Sequence, residues 1–306
     1  MPTLRQLEYL VALADLQHFG RAAAAAHTSQ PTLSHQLRAL EKKLGVTLVE
    51  RSSGGMAMTP LGREMAARAR KVLLAVRDMR ELASRAAEKL AGTLHFGASP
   101  TLGPYLMPPI IAELHREYPD LRLYIREGIP DDQVRDLSRG TLDMLLGPLP
   151  MDAPDLQVEP LFRERMLLVS AADHPLTRRE ALRKADLRGI EMLSLDRRHH
   201  FHRQVAALCR EIGAELLHDY EGTSLDSLRQ MAASGLGLAM LPELYLRSEA
   251  GGMTGIVVLD VVDLHATRSI AAGWRKGAAL AASYRRIAEH IRARAGSLLD
   301  EGRSRL

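Results

Sequence analysis

Cysteine is nearly absent: Cys209 is the only one in 306 residues. A single thiol forms no intrachain disulfide, which excludes a disulfide-stapled scaffold and fits a reducing compartment. No run approaches the roughly 18 to 20 consecutive apolar residues that a membrane span requires, so no membrane partner is expected. The opening stretch "MPTLRQLEYLVALADLQHFG" carries acids inside its apolar stripe and lacks a small-residue cleavage site. It does not read as a secretory signal, and the expected location is cytoplasmic. Short internal repeats and low-complexity tracts are also missing. What is present is ordinary for a globular protein: 46% hydrophobic and 25% charged residues, in a chain long enough for several folding units.

Charge is unevenly placed. Residues 1–90 hold 14 Lys+Arg against 8 Asp+Glu, and residues 91–306 hold 27 against 29, so the net +4 comes from the N-terminal part. A basic segment attached to a near-neutral one is the electrostatic footprint of a nucleic-acid-binding unit joined to something else.

Leu4, Leu7, Leu10, Val11, Leu13 and Ala14 follow helical i, i+3, i+4, i+7 spacing, and "GRAAAAA" after Phe19 predicts a second, short helix. In "HTSQP", Thr28 or Ser29 suits an N-cap and Pro31 a first helical turn. The stripe Leu33, Leu37, Leu40, Leu44 then runs to a C-cap glycine, Gly45. Two short β segments, residues 46–50 and 56–59, read as a hairpin wing. Residues 60–89 predict a long helix whose stripe Met65, Ala69, Val72, Leu73, Val76, Met79, Leu82, Ala83 suits a two-helix seam, both linker and dimer contact. Beyond it, strand-like stretches ("TLHFGAS", "LRLYIREG", "LDMLLGPL", "ERMLLVSA", "LGLAMLP", "IVVLDVV", "TRSIAAGW") alternate with helical ones, which predicts α/β architecture with largely parallel sheets.

The segment "AAAAAHTSQPTLSHQLRALEKKLGVTLVER", with Phe19 before it, resembles the winged helix-turn-helix of LysR-type transcriptional regulators. The residues alone point the same way. A helix with its aliphatic stripe buried and polar Ser29, Gln30, Thr32, Ser34, His35 and Arg38 around its N-terminal exposed face, Pro31 among them, is suited to the major groove of double-stranded promoter DNA. Gln30 suits an adenine edge or a phosphate, Arg38 a phosphate or guanine, and Arg51 in the wing a neighbouring backbone or minor groove. The bland alternative is a merely solvated helix face.

"LEYLVALADLQHFGRAA", "GPYLMPPII", "DHPL" and "TSLDSLRQMAASGLGLAMLP" resemble the OxyR peroxide-sensor branch of that family, from about Leu4 to Arg294. The resemblance implies a winged helix-turn-helix at 1–59, a linker helix at 60–90 and an effector-binding domain at 91–306 akin to periplasmic binding proteins. It further implies two subdomains, 92–162 plus 268–306 and 163–267, with the chain crossing twice between them. Homotetramers, contact with RNA polymerase and no catalytic activity or cofactor are implied as well.

OxyR sensors place a peroxide-reactive cysteine nine positions before a resolving one. Aligned on "RQVAALC", Cys209 takes the resolving position and His200 stands where the reactive thiol should be. An imidazole forms neither a sulfenic acid nor a disulfide, so the two-cysteine switch is expected to be lost. His199, His200 and His202, with Cys209, offer metal- or oxidant-responsive chemistry as an alternative, although paired CxxC or HxxxH spacing is lacking. A cysteine–histidine hydrolytic dyad lacks an orienting partner. The plainest reading is a polar loop entering a helix, with Cys209 buried alongside Val205, Leu208 and Ile212.

An effector, possibly anionic, is expected at the strand C-terminal ends, where helix N-termini offer amide donors. Three turns fit: Ser99, Pro100 and Thr101 in "GASPTLGPY", Thr223 and Ser224 in "EGTSLDSL", and Gly128 with Ile129. Thr101 stands where OxyR sensors have a threonine near the peroxide site. Pro130 replaces a threonine of the family, which weakens a peroxide pocket. Arg268 or His200 supplies counter-charge. Helix capping is the competing role for these Ser and Thr residues. A rival class, a solute-binding protein, is disfavoured by the attached basic helical unit and the missing signal sequence.

Overall fold

The computed structural model describes residues 1–52, 55–85, 92–222, 224–248 and 255–300, and the chain divides into two compact units, 1–88 and 89–306. In the first unit, α1 (Leu4–Leu16) starts at a reciprocal cap in which Thr3 Oγ1 accepts from the Gln6 amide (3.2 Å) and Gln6 Oε1 accepts from the Thr3 amide (3.1 Å). The short α2 (Phe19–Ala25) starts where His18 Nδ1 accepts the amides of Gly20 and Arg21. Ser29 Oγ accepts from the Thr32 amide to open α3 (Gln30–Leu44), and Gly45 ends it in the left-handed region at φ 70°. Leu10, Leu13, Ala22, Leu33, Leu37, Leu40 and Leu48 are fully buried together, each larger aliphatic contributing about 1.5–3 kcal/mol on burial.

The wing is a hairpin of β1 (Val49–Ser52) and β2 (Gly55–Met58), about three residues later on its first strand than the spacing suggests. Glu41 explains the shift. Its Oε1 accepts the amides of Leu48 and Val49 (2.8 and 3.2 Å) and its carbonyl accepts that of Val46, which ties residues 46–48 to the end of α3 instead of a strand partner. α4 (Pro60–Arg85) follows; the expected helical residues 86–89 lie outside the described ones. Only glycine fits at position 62, because a Cβ there would land on the Leu48 carbonyl.

The second unit runs β3 (Gly92–Ala98), α5 (Gly103–Glu117), β4 (Leu121–Glu127), α6 (Pro130–Arg139), β5 (Met144–Pro148), β6 (Leu156–Ala171), β7 (Glu191–Leu195), α7 (His200–Ile212), β8 (Glu215–Gly222), α8 (Leu225–Ala233), β9 (Leu238–Pro242), α9 (Glu243–Ser248), β10 (Ile256–Leu259), β11 (Thr267–Arg275) and α10 (Ala281–Asp300). Strand order is β4-β3-β5-β11-β6-β9-β7-β8, with β10 also on β6. The sheet is mixed, not largely parallel. β3 pairs in parallel with β4 and β5, and β7 with β8 and β9. β11, inserted between β5 and β6, runs against both, and β9 and β10 run against β6. Strand–helix alternation gives no warning of a late strand inserted between two early ones.

Two large hydrophobic cores form the interior of this unit, beside a smaller cluster of Leu137, Leu142, Leu145, Met151, Leu156 and Ala271. Phe96, Leu106, Ile110, Leu146, Trp274, Tyr284 and Ile287 belong to one; Leu168, Val169, Leu193, Phe201, Val205, Leu228 and Leu241 belong to the other. β6 passes from the first to the second: its residues up to Arg165 pair with β11, and Met166 onward pair with β9 and β10.

Candidate nucleic-acid interface and effector cleft

Burial of Leu33, Leu37 and Leu40 fixes which face of α3 points outward. Ser29, Gln30, Pro31, Thr32, His35 and Arg38 are exposed on that face and Ser34 is half-buried. Ser29 Oγ and Thr32 Oγ1 lie 2.7 Å apart at the helix start, and Arg38 donates to Ser34 Oγ (3.3 Å) with no carboxylate partner among the described residues. An exposed polar helix N-terminus with an unpaired guanidinium one face along is chemically suited to phosphate oxygens and base edges. Arg51 lies in β1, but its side chain falls outside the described residues.

In the second unit the β3–α5 turn buries Ser99 and Thr101 (2% and 4% exposed), with their hydroxyls 3.1 Å apart and Pro100 between them. Neither hydroxyl caps α5, whose N-cap is Leu102 without a side-chain bond. Thr101 is instead held by Arg268, which donates from Nη1 to Thr101 Oγ1 (2.7 Å) and from Nη2 to the Thr101 carbonyl (2.9 Å). Arg268 Nε donates to Glu164 Oε1 (2.7 Å), and Glu164 Oε2 accepts the Leu244 amide (3.0 Å). Both ions are almost fully buried. The charge of Arg268 is thus answered inside the fold by Glu164, and its remaining donors hold Thr101. Gly128 and Ile129 lead into α6, with Ile129 as a cap that has no side-chain bond and Pro130 as its first residue. Ser224 caps α8 by accepting the Ser227 amide, which is the capping alternative; Thr223 lies outside the described residues.

His200 is the first residue of α7 and is buried, with Nδ1 unpartnered among the described residues. Burial pushes its pKa down, Arg203 and Arg268 push it further, and the Asp131 carboxylate opposes them. Burial likewise lowers the pKa of His199. Asp131, in the first turn of α6, pairs with Arg203 of α7 at 3.0 and 3.1 Å. The histidines do not converge: His202 donates from Nδ1 to the Leu195 carbonyl (3.0 Å), and Cys209 lies nine residues along α7, a rise of about 13.5 Å from His200. No group of three or more His, Cys, Asp or Glu suited to a metal occurs among the described residues. Burial raises the Cys209 thiol to about 11, far from the thiolate character that peroxide reaction requires.

Two features were not legible beforehand. Glu164, counter-ion to Arg268, opens the stretch "ERMLLVSA", which reads as an apolar strand. Asp226 of α8 accepts from Tyr105 of α5 (3.2 Å) and from Tyr245 of α9 (3.1 Å), and the two tyrosine rings meet edge to face at 4.9 Å. Burial, with the Asp226 carboxylate, pushes Tyr245 up to about 12, so it remains a donor.

Because the folded-state pKa values of His199 and His200 are depressed, the unfolded chain binds more protons below about pH 6.5, and the stability these residues contribute is lost as pH falls through that range. The expected result is a lower Tm at pH 5 than at pH 7.5, with a smaller drop in His200→Gln. Equal drops in both proteins would show that His200 has no part in it.

Residues 4–63 match the family model of the bacterial regulatory helix-turn-helix protein, lysR family, and residues 87–296 match the LysR substrate binding domain. The chain is a LysR-type transcriptional regulator. Membership places it among DNA-binding transcription factors, which are not enzymes. The regulator is 40% identical over 298 residues to the DNA-binding transcriptional dual regulator OxyR of Escherichia coli strain K12, covering 97% of each chain. It is 37% identical over 298 residues to a hydrogen peroxide-inducible genes activator of Haemophilus influenzae. Its fold matches a full-length OxyR of Pseudomonas aeruginosa carrying a cysteine-to-aspartate replacement, with a TM-score of 0.76, 37% identity and coverage of 95% and 94%. An H2O2-bound OxyR cysteine-to-serine mutant of Corynebacterium glutamicum matches with a TM-score of 0.64 at 32% identity, covering 99% and 97%. The regulator is OxyR-like along nearly its whole length. No helix among the described residues is long and apolar enough to cross a membrane.

Proposed function

We propose that this OxyR-like regulator answers a small, anionic effector in the cleft between its two regulatory cores and does not use a two-cysteine peroxide switch. The observation that carries this reading is His200: nine residues before a deeply buried Cys209 stands an imidazole with a ring nitrogen that has no partner among the described residues. A carboxylate bound there accepts from amides at the α7 start and from a ring N–H of the neutral His200 imidazole, while Ser99 and Thr101 supply hydroxyls nearby. Residues 92–162 plus 268–306 and residues 163–267 act as the two halves, bridged by Asp131–Arg203 and Tyr105–Asp226. Effector binding favours one placement of the halves over another, and in a cytoplasmic homotetramer that shift alters DNA contact and engagement of RNA polymerase. Ser29, Gln30, Pro31, Thr32, Ser34, His35, Arg38 and Arg51 form the DNA-facing surface. Metal sensing by His199, His200, His202 and Cys209 is not favoured, because these side chains do not share a site.

The test is thermal denaturation of the full chain with acetate, succinate, benzoate and phosphate. A ligand at 100 times its Kd adds about 2.7 kcal/mol, a rise of about 5–10 °C, and His200→Ala should lose most of it. No shift with any of these, or the same shift in His200→Ala, would reject the cleft reading.

A further inference from the structure

His200 is the first residue of α7, and the flank of that helix further along borders a pocket of about 370 Å³. This volume falls in the range of small-molecule sites. Gln204, Val205 and Leu208 of α7 form one wall, the buried thioethers of Met166 in β6 and Met240 in β9 lie across from them, and Thr267 at the start of β11 stands at the edge. Methionine side chains repack around ligands of irregular shape, which suits an aromatic or branched aliphatic body. Polar function comes from Gln204, Glu211, His265 and Thr267. Gln204 Oε1 is buried with no hydrogen-bond partner among the described residues, and a buried acceptor left unsatisfied is costly. Thr267 Oγ1 already accepts from Arg163 Nη2 (2.9 Å).

We propose that this pocket is a second ligand site, distinct from the effector cleft, that takes an uncharged small molecule with an apolar body and one N–H or O–H donor directed at Gln204 Oε1. A donor satisfies the orphan amide oxygen, and the apolar body removes the methionine and leucine surface from water. A carboxylate is disfavoured, because it would bring an anion to a carbonyl oxygen, with the Glu211 carboxylate also lining the pocket. An occupant would bear on the same helix that carries His200, so the site is placed to bias the cleft without sharing its ligand.

Benzamide is a suitable probe, with N,N-dimethylbenzamide as its donor-free counterpart, read by saturation-transfer NMR titration of the full chain. Benzamide has about nine non-hydrogen atoms, for which a Kd on the order of 1 mM is expected. The dimethyl compound should bind about tenfold more weakly, and Gln204→Leu should lose a similar factor for benzamide. Ala207→Trp, which fills the pocket from the exposed side of α7, should abolish binding, and it decides the matter if Gln204→Leu does not fold. His200→Ala should bind benzamide as wild type does. No binding at about 10 mM benzamide, undiminished binding in Ala207→Trp, or loss of binding in His200→Ala would each overturn the proposal.

Discussion

Arg268→Met is expected to lower the Tm of the regulatory unit by about 10 °C. The guanidinium and the Glu164 carboxylate are 1% and 0% exposed and meet at 2.7 Å, so removing one partner strands a charge in the interior. Breaking a buried pair from one side costs about 3–5 kcal/mol, and each kilocalorie moves the Tm of a unit this size by about 2–4 °C. Two bonds to Thr101 go as well, one to its hydroxyl and one to its carbonyl, so the β3–α5 turn loses its anchor. Arg268→Met combined with Glu164→Leu removes both charges and should recover much of the loss, although the Leu244 amide then lacks its acceptor. Calorimetry of the three proteins checks this. A Tm within about 2 °C of wild type for Arg268→Met would mean that the pair is better hydrated than its burial indicates.

The second large effect falls on DNA. Gln30→Ala and Arg38→Ala, measured by fluorescence anisotropy on a duplex that the protein selects from a random pool, should each weaken specific binding by about 5- to 100-fold at fixed salt. Both side chains are exposed and outside the α3 core, so the fold of the first unit should not change. The two need not behave alike. If Arg38 contacts a phosphate, its loss lowers the salt dependence by about one counterion and weakens all sequences equally. If Gln30 reads a base, its loss relaxes preference at one position. Affinities within twofold of wild type for both variants would remove α3 as the reading element.

The sequence displays some of this architecture openly and hides the rest. α3 is legible because a capping serine, Pro31, a leucine stripe and Gly45 all agree between positions 29 and 45, so local preference and burial point the same way. The wing is placed early because nothing local reveals that Glu41 ties residues 46–48 to a helix end. Periodicity alone passes over α6, which starts at Pro130 in a short polar stretch, and α9, six residues that follow β9 without a break. His200 stands out only against the cysteine spacing of a known family. Its setting depends on pairs no spacing rule connects: Arg268 with Glu164 across 104 residues, Arg203 with Asp131 across 72, and Tyr105 with Asp226 across 121. Thr101 is identified as a candidate from the strand-to-helix turn, but the turn gives no sign that its hydroxyl is already engaged by Arg268.

The proposal that this regulator works without a two-cysteine peroxide switch is addressed by one comparison. A DNA footprint of the full chain on its selected duplex should be the same before and after a low dose of hydrogen peroxide, in wild type and in Cys209→Ser alike, because burial holds the thiol protonated and no second cysteine exists. A footprint that shifts with peroxide in wild type and stays fixed in Cys209→Ser would contradict the account.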